Sequence, residues 1–406
     1  MGAPFSGLAE GLPTLESKPG QQHQRTATLS SHRKLLPSLT ITRRLVVKIA
    51  YLLTWSGDER TGVFKKVADQ VASWDRLGAE VALFVATTPS ARKSWSKAGP
   101  ARHIEVYRNA LEAIWIQRPL LRALQAWKPD ITYVRTTSRH AIVSRQINNL
   151  PYAVEIQTDD IAESRGLSVP RHVTTLVTRR ACLNGARGMV FASRELSERA
   201  SYQGFSASRI VLANGIDLSR IEPLPPIEGR ERSLRFAFMG LAGLPWHGLD
   251  QVIELAGIRP SWIFDIIGPG ADEMSWPPNV QAHGELTADE YRPILAQADA
   301  AISTLAWFRN GMYEGSPLKS REYFALGLPV IGGYLDTDLP DGADFYLRIP
   351  NREGAAANRA DDIETFAKSW KGRRINREAI QMLDQQAKER RRLDFLQTLI
   401  EIDPSA

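Results

Sequence analysis

The sequence predicts an α/β protein built from two doubly wound parallel sheets, and three observations carry that prediction. Short β-branched runs alternate with amphipathic helical stretches from Val46 onward, the signature of βα units. The alternation runs through two rounds, and a polar stretch with Pro223, Pro225 and Pro226 separates them. The chain has 406 residues, more than one ordinary core accommodates.

The first round offers strands over 48–53, 80–85, 131–135, 152–157, 189–192 and 210–213, with helices over 63–77, 120–127 and 194–203. The second offers strands over 235–239, 262–267, 280–283, 300–305, 329–332 and 345–349. Its helices fall near 249–256, 288–297, 319–325 and 363–370. The expected organisation is a tail over 1–44, a first domain over 45–220, a linker over 221–233, a second domain over 234–360 and C-terminal helices over 361–406. Two such sheets joined by a hinge place a cleft between the C-terminal ends of their strands, where open parallel sheets bind ligands.

Composition narrows the class. Apolar residues make up 43% and charged residues 24%, the balance of an ordinary globular enzyme, and no run approaches the ~20 apolar residues that span a bilayer. Cys182 is the only cysteine, which excludes an intrachain disulfide, fits a reducing compartment and reads as a small buried apolar residue. A net charge of +6 favours anionic partners. The basic residues are scattered without aromatic interleaving, so nucleic acid is not expected. The densest run, Lys388 to Arg392, reads as a solvated helix face, with a membrane surface or acidic ligand as the other reading. Residues 1–44 are rich in Gly, Pro, Ser, Thr and Gln, lack the apolar centre of a signal peptide and read as a disordered tail.

The strongest local signal runs from Tyr313 to Ile331, YEGSPLKSREYFALGLPVI. A loop carrying Glu314 leads into a helix with Pro317 at its start, Glu322 about one turn inside and Gly327 at its end. Free backbone N–H groups near Ser316, Pro317, Leu318 and Lys319, with the lysine charge, make an anion site. A carboxylate on either side of a phosphate cradle suits a ligand with hydroxyls at both ends, as a nucleotide sugar has. Two solvated glutamates on a surface helix would have the same spacing.

Glu314 and Glu322, seven residues between them, resemble the E-x7-E motif of retaining GT-B glycosyltransferases of family 4, and Ser316-Pro317-Leu318-Lys319 is similar to a recurrent version of it. Three further segments agree with that likeness. Gly188 to Ser193 followed by Ile210 to Asp217 looks like the end of the family's first domain, Phe238-Met239-Gly240 with Pro245 to Gly248 like the start of its second, and Thr61-Gly62-Val63 like its glycine loop.

The resemblance implies a GT-B architecture of two facing Rossmann-like domains, with C-terminal helices returning to the first. It implies a retaining, metal-independent transferase that moves a sugar from a UDP- or GDP-sugar to a glycan, lipid-linked or polysaccharide acceptor. Glu322 would hold the ribose hydroxyls, and Glu314 the donor sugar. The amides of Gly315, Ser316, Leu318 and Lys319, with Gly62, Gly240 and His247, would hold the diphosphate. Glu155, Gln157 and Asp159 would face the sugar or acceptor from the other domain. No cofactor and no metal are expected; work in the cytoplasm, at the inner face of an anionic membrane, is the expectation by analogy.

Departures from the family pattern keep other readings open. Leu241 and His247 stand where relatives carry an Arg and a Lys for the diphosphate, leaving Lys319 or Arg321 as the source of that charge, and His247 is weaker unless protonated. Gln157 stands where many relatives have a histidine. A catalytically degenerate nucleotide-binding partner of a transferase, or an epimerase or phosphorylase on the same fold, are the alternatives. Asp336-Thr337-Asp338 resembles a metal-binding D-x-D but reads as a solvated loop, and Gly268-Pro269-Gly270 as a turn. Of ten tryptophans, Trp246 and Trp307 flank the supposed cleft and are candidates for stacking on sugar.

Overall fold

In the computed structural model, the residues described are 46–135, 150–165, 169–228, 232–240 and 243–401. The tail expected over 1–44 and Leu241 lie outside them. The first sheet takes β1 (Lys48–Thr54), β2 (Glu80–Thr87), β3 (Ala101–Val106), β4 (Ile131–Arg135), β5 (Tyr152–Ile156), β6 (Gly188–Phe191) and β7 (Ser208–Val211) in the order β3-β2-β1-β4-β5-β6-β7. All its pairs are parallel. Its helices are α1 (Gly62–Arg76), α2 (Arg92–Trp95), α3 (Ala110–Trp115), α4 (Gln117–Trp127), α5 (Asp160–Arg165), α6 (Val169–Asn184) and α7 (Arg194–Glu198).

The second sheet pairs β8 (Arg235–Met239), β9 (Ile263–Ile267), β10 (Val280–Ala282) and β11 (Ala300–Ile302) with β13 (Val330–Gly332) and β15 (Tyr346–Arg348) in the order β10-β9-β8-β11-β13-β15, again all parallel. β12 (Glu314–Gly315) and β14 (Leu335–Asp336) form a small parallel pair beside it. The helices here are α8 (Leu249–Ile258), α9 (Ala288–Leu295), α10 (Leu318–Ala325), α11 (Ala355–Asn358) and α12 (Ala360–Trp370), followed by α13 (Gln385–Glu401). Both sheets are open and belong to one compact unit, Leu45–Ala406.

Strand burial follows the period of two. Ile49, Tyr51 and Leu53 of β1 face Phe64, Val67, Val71 and Trp74 of α1, while Ala50 and Leu52 face the layer with Leu120, Leu121 and Leu124 of α4. The edge strand β3, absent from the sequence expectation, carries Arg102, His103 and Glu105. Polar residues suit a strand with one open side, and they hide its β signal. The helix expected over 194–203 ends at Glu198 and continues as a 3₁₀ turn at Ala200–Tyr202.

The return to the first sheet starts later than residue 361. Ile363 and Ala367 of α12 pack with Phe236, Phe238 and Val252, and Trp370, Ile375, Ile380 and Leu383 pack with α10. Only α13 crosses, laying Leu393, Leu396 and Leu399 on the β1–α1 layer. The crossing is stitched where the Ile216 amide donates to the Leu383 carbonyl (3.0 Å) and the Gln385 amide to the Ile216 carbonyl (2.9 Å).

The run Lys388 to Arg392 is not the solvated face expected. Lys388, Glu389 and Arg392 are 6%, 4% and 1% exposed, because one side of α13 is turned into the fold while Arg390 and Arg391 remain outside. Cys182 is buried, and burial pushes its thiol up to about 12, which leaves it inert.

Candidate active site

Each sheet reverses its strand order at one point, between β1 and β4 in the first and between β8 and β11 in the second. The crevice outside the strand C-termini opens at such points. The loop after β1 leads to Thr61, whose hydroxyl accepts from the Phe64 amide and caps α1. The loop after β8 carries Gly240 and His247, and the segment after β11 leads to Glu314. Gly62 and Leu318 meet across the cleft: a Cβ at Gly62 would lie 3.2 Å from Leu318 Cδ1. The starts of α1 and α10 therefore face each other.

On the second domain's side, Glu314 and Gly315 form β12 and Pro317 precedes α10. The Trp307 indole donates to the Glu314 carbonyl (2.7 Å), and a Cβ at Gly315 would lie 3.1 Å from that ring. Trp307 is thus a wall that shapes the motif and, 8% exposed, has no open face for a sugar; Trp246 is half-buried beside it. Ser316 is tied to the first domain, its hydroxyl accepting from the Asn214 amide (3.0 Å) and its carbonyl from Asn214 Nδ2 (2.9 Å). The Leu318 and Lys319 amides lie in the first turn, which the helix ladder leaves without carbonyl partners.

Lys319 carries the positive charge of this terminus. Its Nζ donates to the Met239 carbonyl (2.9 Å) and lies 4.5 Å from the centre of the Phe238 ring, and burial lowers its pKa to about 7. His247 is next to Gly240 in the same pocket. Burial, reinforced by the Lys319 charge, lowers it to about 2, so the imidazole is neutral in the ligand-free protein.

Arg321 is not part of this site. It is fully buried, donates to the Asn214 carbonyl, forms a fork to Asp336 (2.5 and 2.9 Å) and reaches Asp338 (2.9 Å). The Asp336-Thr337-Asp338 segment is accordingly not a solvated loop. It is an anchor, completed by Lys388 on Asp338 (2.7 Å). A second anchor of the loops is Gly268 at φ +129°, where a Cβ would fall 1.8 Å from the Gly240 carbonyl oxygen.

Glu322 accepts from the Tyr291 hydroxyl, and Lys65 of the first domain lies 3.2 Å from that same oxygen. Burial, then the Glu322 charge, pushes the Tyr291 phenol above its ordinary value. Arg60 adds an ion pair to Glu285 across the cleft (3.3 Å).

The three first-domain residues expected to face the sugar behave differently from one another. Gln157 follows the end of β5, with its Nε2 buried and without a hydrogen-bond partner among the described residues. Asp159 caps α5, accepting from the Ile161 and Ala162 amides at 3.0 Å, and pairs with Arg199.

Glu155 points away from the cleft. It is 1% exposed and pairs with Lys66 (2.7 Å), Arg135 (2.8 Å) and Arg392 of α13 (3.8 Å). Burial pushes its carboxyl up, but those three cations outweigh it and hold the pKa at about 2. The physical reason is the alternation of β5: Glu155 falls on the face covered by α1 and α13.

Glu314 meets the first domain directly. One oxygen accepts from the Glu195 amide (2.8 Å), while Glu195 Oε2 accepts from the Tyr313 and Glu314 amides, both at 2.8 Å. Arg199 bridges Glu195, Asp159 and the Gly311 carbonyl. Glu195, Arg199, Tyr291 and Lys65 were not singled out from the sequence; the place of Glu195 just past the end of β6 was the available signal. Among the described residues, no group of three or more His, Cys, Asp or Glu is arranged to hold a metal, and no helix is long and apolar enough to cross a membrane.

Residues 61–215 match the family model described as a glycosyl transferase 4-like domain. No curated protein sequence matches significantly. Among solved structures, sucrose-phosphate synthase from Thermosynechococcus elongatus aligns with a TM-score of 0.67 at 13% identity, covering 87% of this chain and 99% of its own. HepE from Anabaena, solved with UDP and glucose, aligns at 0.62 and 15% identity, covering 87% and 100%. The lipopolysaccharide outer core galactosyltransferase WaaB aligns at 0.59 and 14% identity, covering 87% and 99%. These likenesses establish the fold, and the family match establishes the domain. The chain has the GT-B fold of these structures, and its residues 61–215 match a glycosyl transferase 4-like domain.

Proposed function

We propose that the protein is a retaining, metal-independent glycosyltransferase that moves a sugar from a nucleoside-diphosphate sugar to a hydroxyl of a glycan, lipid-linked or polysaccharide acceptor. The observation that carries this reading is the start of α10. Its free amides and Lys319 lie between Glu314 and Glu322 and face Gly62 of the opposite domain. That arrangement suits sugar, diphosphate and ribose in order. Glu322 accepts from the ribose hydroxyls, displacing the Tyr291 hydroxyl. The Leu318 and Lys319 amides, the Lys319 ammonium and neutral His247 hold the diphosphate. Glu314 Oε1, which carries no hydrogen bond among the described residues, and the unpaired Gln157 Nε2 serve the donor sugar.

In the reaction, the acceptor oxygen bonds to the anomeric carbon on the face from which the leaving group departs. The bond from that carbon to the β-phosphate oxygen breaks, its electron pair stays on the diphosphate, and the acceptor proton passes to the diphosphate. Lys319 and the amides stabilise the charge that develops there, and closure of the cleft excludes water as a competing acceptor. UDP is the first nucleotide to test, since HepE was solved with UDP and glucose. Exposed Leu111 and Trp115 on α3, with Arg118 lying 4.9 Å from the Trp115 ring, support work at an anionic membrane face.

The test is a calorimetric titration of UDP, GDP and ADP into wild type and Glu322→Ala. Removing charge-assisted hydrogen bonds to ribose lowers affinity by about 10- to 100-fold. Folded wild-type protein that binds none of the nucleotides overturns the reading. Nucleotide binding with no donor consumption favours the degenerate partner, for which neutral His247 is the supporting observation.

A further inference from the structure

The peptide that bears Glu314 is held from two directions. Its carbonyl groups are taken by its own domain: the Tyr313 carbonyl accepts from the Leu335 amide (2.7 Å) and the Glu314 carbonyl from the Trp307 indole (2.7 Å). Its amides are taken by the other domain, both donating to Glu195 Oε2 at 2.8 Å. The exchange is reciprocal, because the Glu195 amide donates to Glu314 Oε2 at 2.8 Å. Two carboxylates of like charge are brought close by trading backbone donors rather than by attraction. The charge they accumulate is balanced by Arg199, whose Nη2 lies 2.8 Å from Glu195 Oε1 and which also reaches Asp159 and the Gly311 carbonyl.

The consequence is geometric. β12 is two residues long and pairs with β14, which holds the Glu314 backbone, while the hydrogen bond to the Glu314 carboxylate among the described residues comes from the Glu195 amide. With the domains apart, the amides of Tyr313, Glu314 and Glu195 and both carboxylates go to water. Bringing them together orders the Glu314 side chain and leaves only one of its oxygens, Oε1, for a ligand.

Resting on the transferase reading above, we propose that Glu195 is a positioning residue that couples closure of the cleft to the placement of Glu314 against the donor sugar. It touches neither nucleotide nor sugar. Its action runs through the Tyr313 and Glu314 amides, so it governs turnover and the distance between domains rather than nucleotide affinity. Asp159 belongs to the same device, as the second carboxylate that fixes Arg199.

The experiment compares wild type, Glu195→Ala and Glu195→Gln. Spin labels at Lys93→Cys in the first domain and Ser261→Cys in the second, both exposed, report the inter-domain distance by pulsed electron resonance. The same proteins are titrated with UDP and GDP and assayed for consumption of the corresponding UDP- and GDP-sugars. Glu195→Ala is expected to lengthen and broaden the distance distribution and to slow donor consumption by about 10- to 100-fold, the range for a misplaced catalytic group. Nucleotide affinity should stay within about 3-fold, a small change on the affinity scale. Glu195→Gln keeps an oxygen for both amides and should recover most of the distance distribution and of the turnover.

An unchanged distance distribution in Glu195→Ala overturns the proposal, as does a loss of nucleotide affinity equal to the loss of turnover. Wild-type protein that binds no nucleotide defeats the transferase reading and takes the role of Glu195 with it, whatever the distances show. A failure of the inference alone appears as wild-type nucleotide binding and turnover with an indifferent Glu195→Ala.

Discussion

Replacing Glu155 by glutamine removes the one negative charge that Lys66, Arg135 and Arg392 share, and the structure sets the size of the effect. A carboxyl held at about 2, against an ordinary value near 4.3, corresponds to about 3 kcal/mol of linkage. Removing the carboxylate that this buried cluster shares, with Arg392 keeping Glu389 (3.3 Å), gives about 3–5 kcal/mol by a separate route. The two agree, so Glu155→Gln should cost about 3–4 kcal/mol at pH 7, roughly 10 °C in midpoint for a domain of this size.

The assay is urea unfolding followed by tryptophan fluorescence. Trp74 lies in the same cluster and donates to Glu389 (2.8 Å), and as one of ten tryptophans spread over both halves it contributes to a transition that reports the two together. The sign with pH follows from the depressed pKa. Below about 4.3 the unfolded chain takes up a proton that the folded Glu155 refuses, so its stabilisation is complete above that pH and lost as pH falls through about 2. The gap between wild type and variant should therefore be flat from pH 7 to 5 and narrow in acid. A loss of donor turnover with a stability change under about 1 kcal/mol, the size of an ordinary substitution, would refute the reasoning and return Glu155 to the cleft.

Two other substitutions test neighbouring parts of the structure. Arg321→Lys cannot reproduce the fork to Asp336 or the bond to the Asn214 carbonyl, and should lower stability by about 3 kcal/mol in urea while nucleotide affinity holds within about 2-fold. His247, neutral in the folded protein at about 2 and protonated in the unfolded chain below about 6.5, makes stability fall as pH falls from 6.5. Urea titrations at pH 7 and 5 should show His247→Asn losing about 1 kcal/mol per pH unit less than wild type.

Much of the fold was readable because apolar periodicity is local. β1, β4, β5, β8 and β9 are mainly apolar runs, as strands buried on both faces are, broken inside β5 by Glu155 and inside β9 by Asp265. β3 escaped because an edge strand tolerates Arg102, His103 and Glu105. The motif from Glu314 to Glu322 was legible for the same local reason, a loop, a proline and a helix start within nine residues. Glu155 was misplaced because three residues near the end of one strand, Glu155, Gln157 and Asp159, were taken together although the fold disposes of each differently. Glu155 falls on the α1 and α13 face, Gln157 past the strand end leaves its Nε2 without a partner among the described residues, and Asp159 is consumed as a helix cap.

What the sequence by itself determined was the two rounds of βα units, the break between them and the phosphate-cradle motif, all of which depend on neighbours within about one element. Only the tertiary structure decided which charges are spent on holding the molecule together. Arg321 and Lys388 look like free cations in the chain, and each is buried against a carboxylate supplied from elsewhere, Asp336 and Asp338, while Arg392 lies between Glu389 of its own helix (3.3 Å) and the distant Glu155 (3.8 Å). Glu195 acquires its place opposite Glu314 only when residues 119 positions apart are brought together. The reason is the same in each case. Burying a charge is costly unless a partner is brought to it, and the partner is chosen by the path of the chain, which no local pattern records.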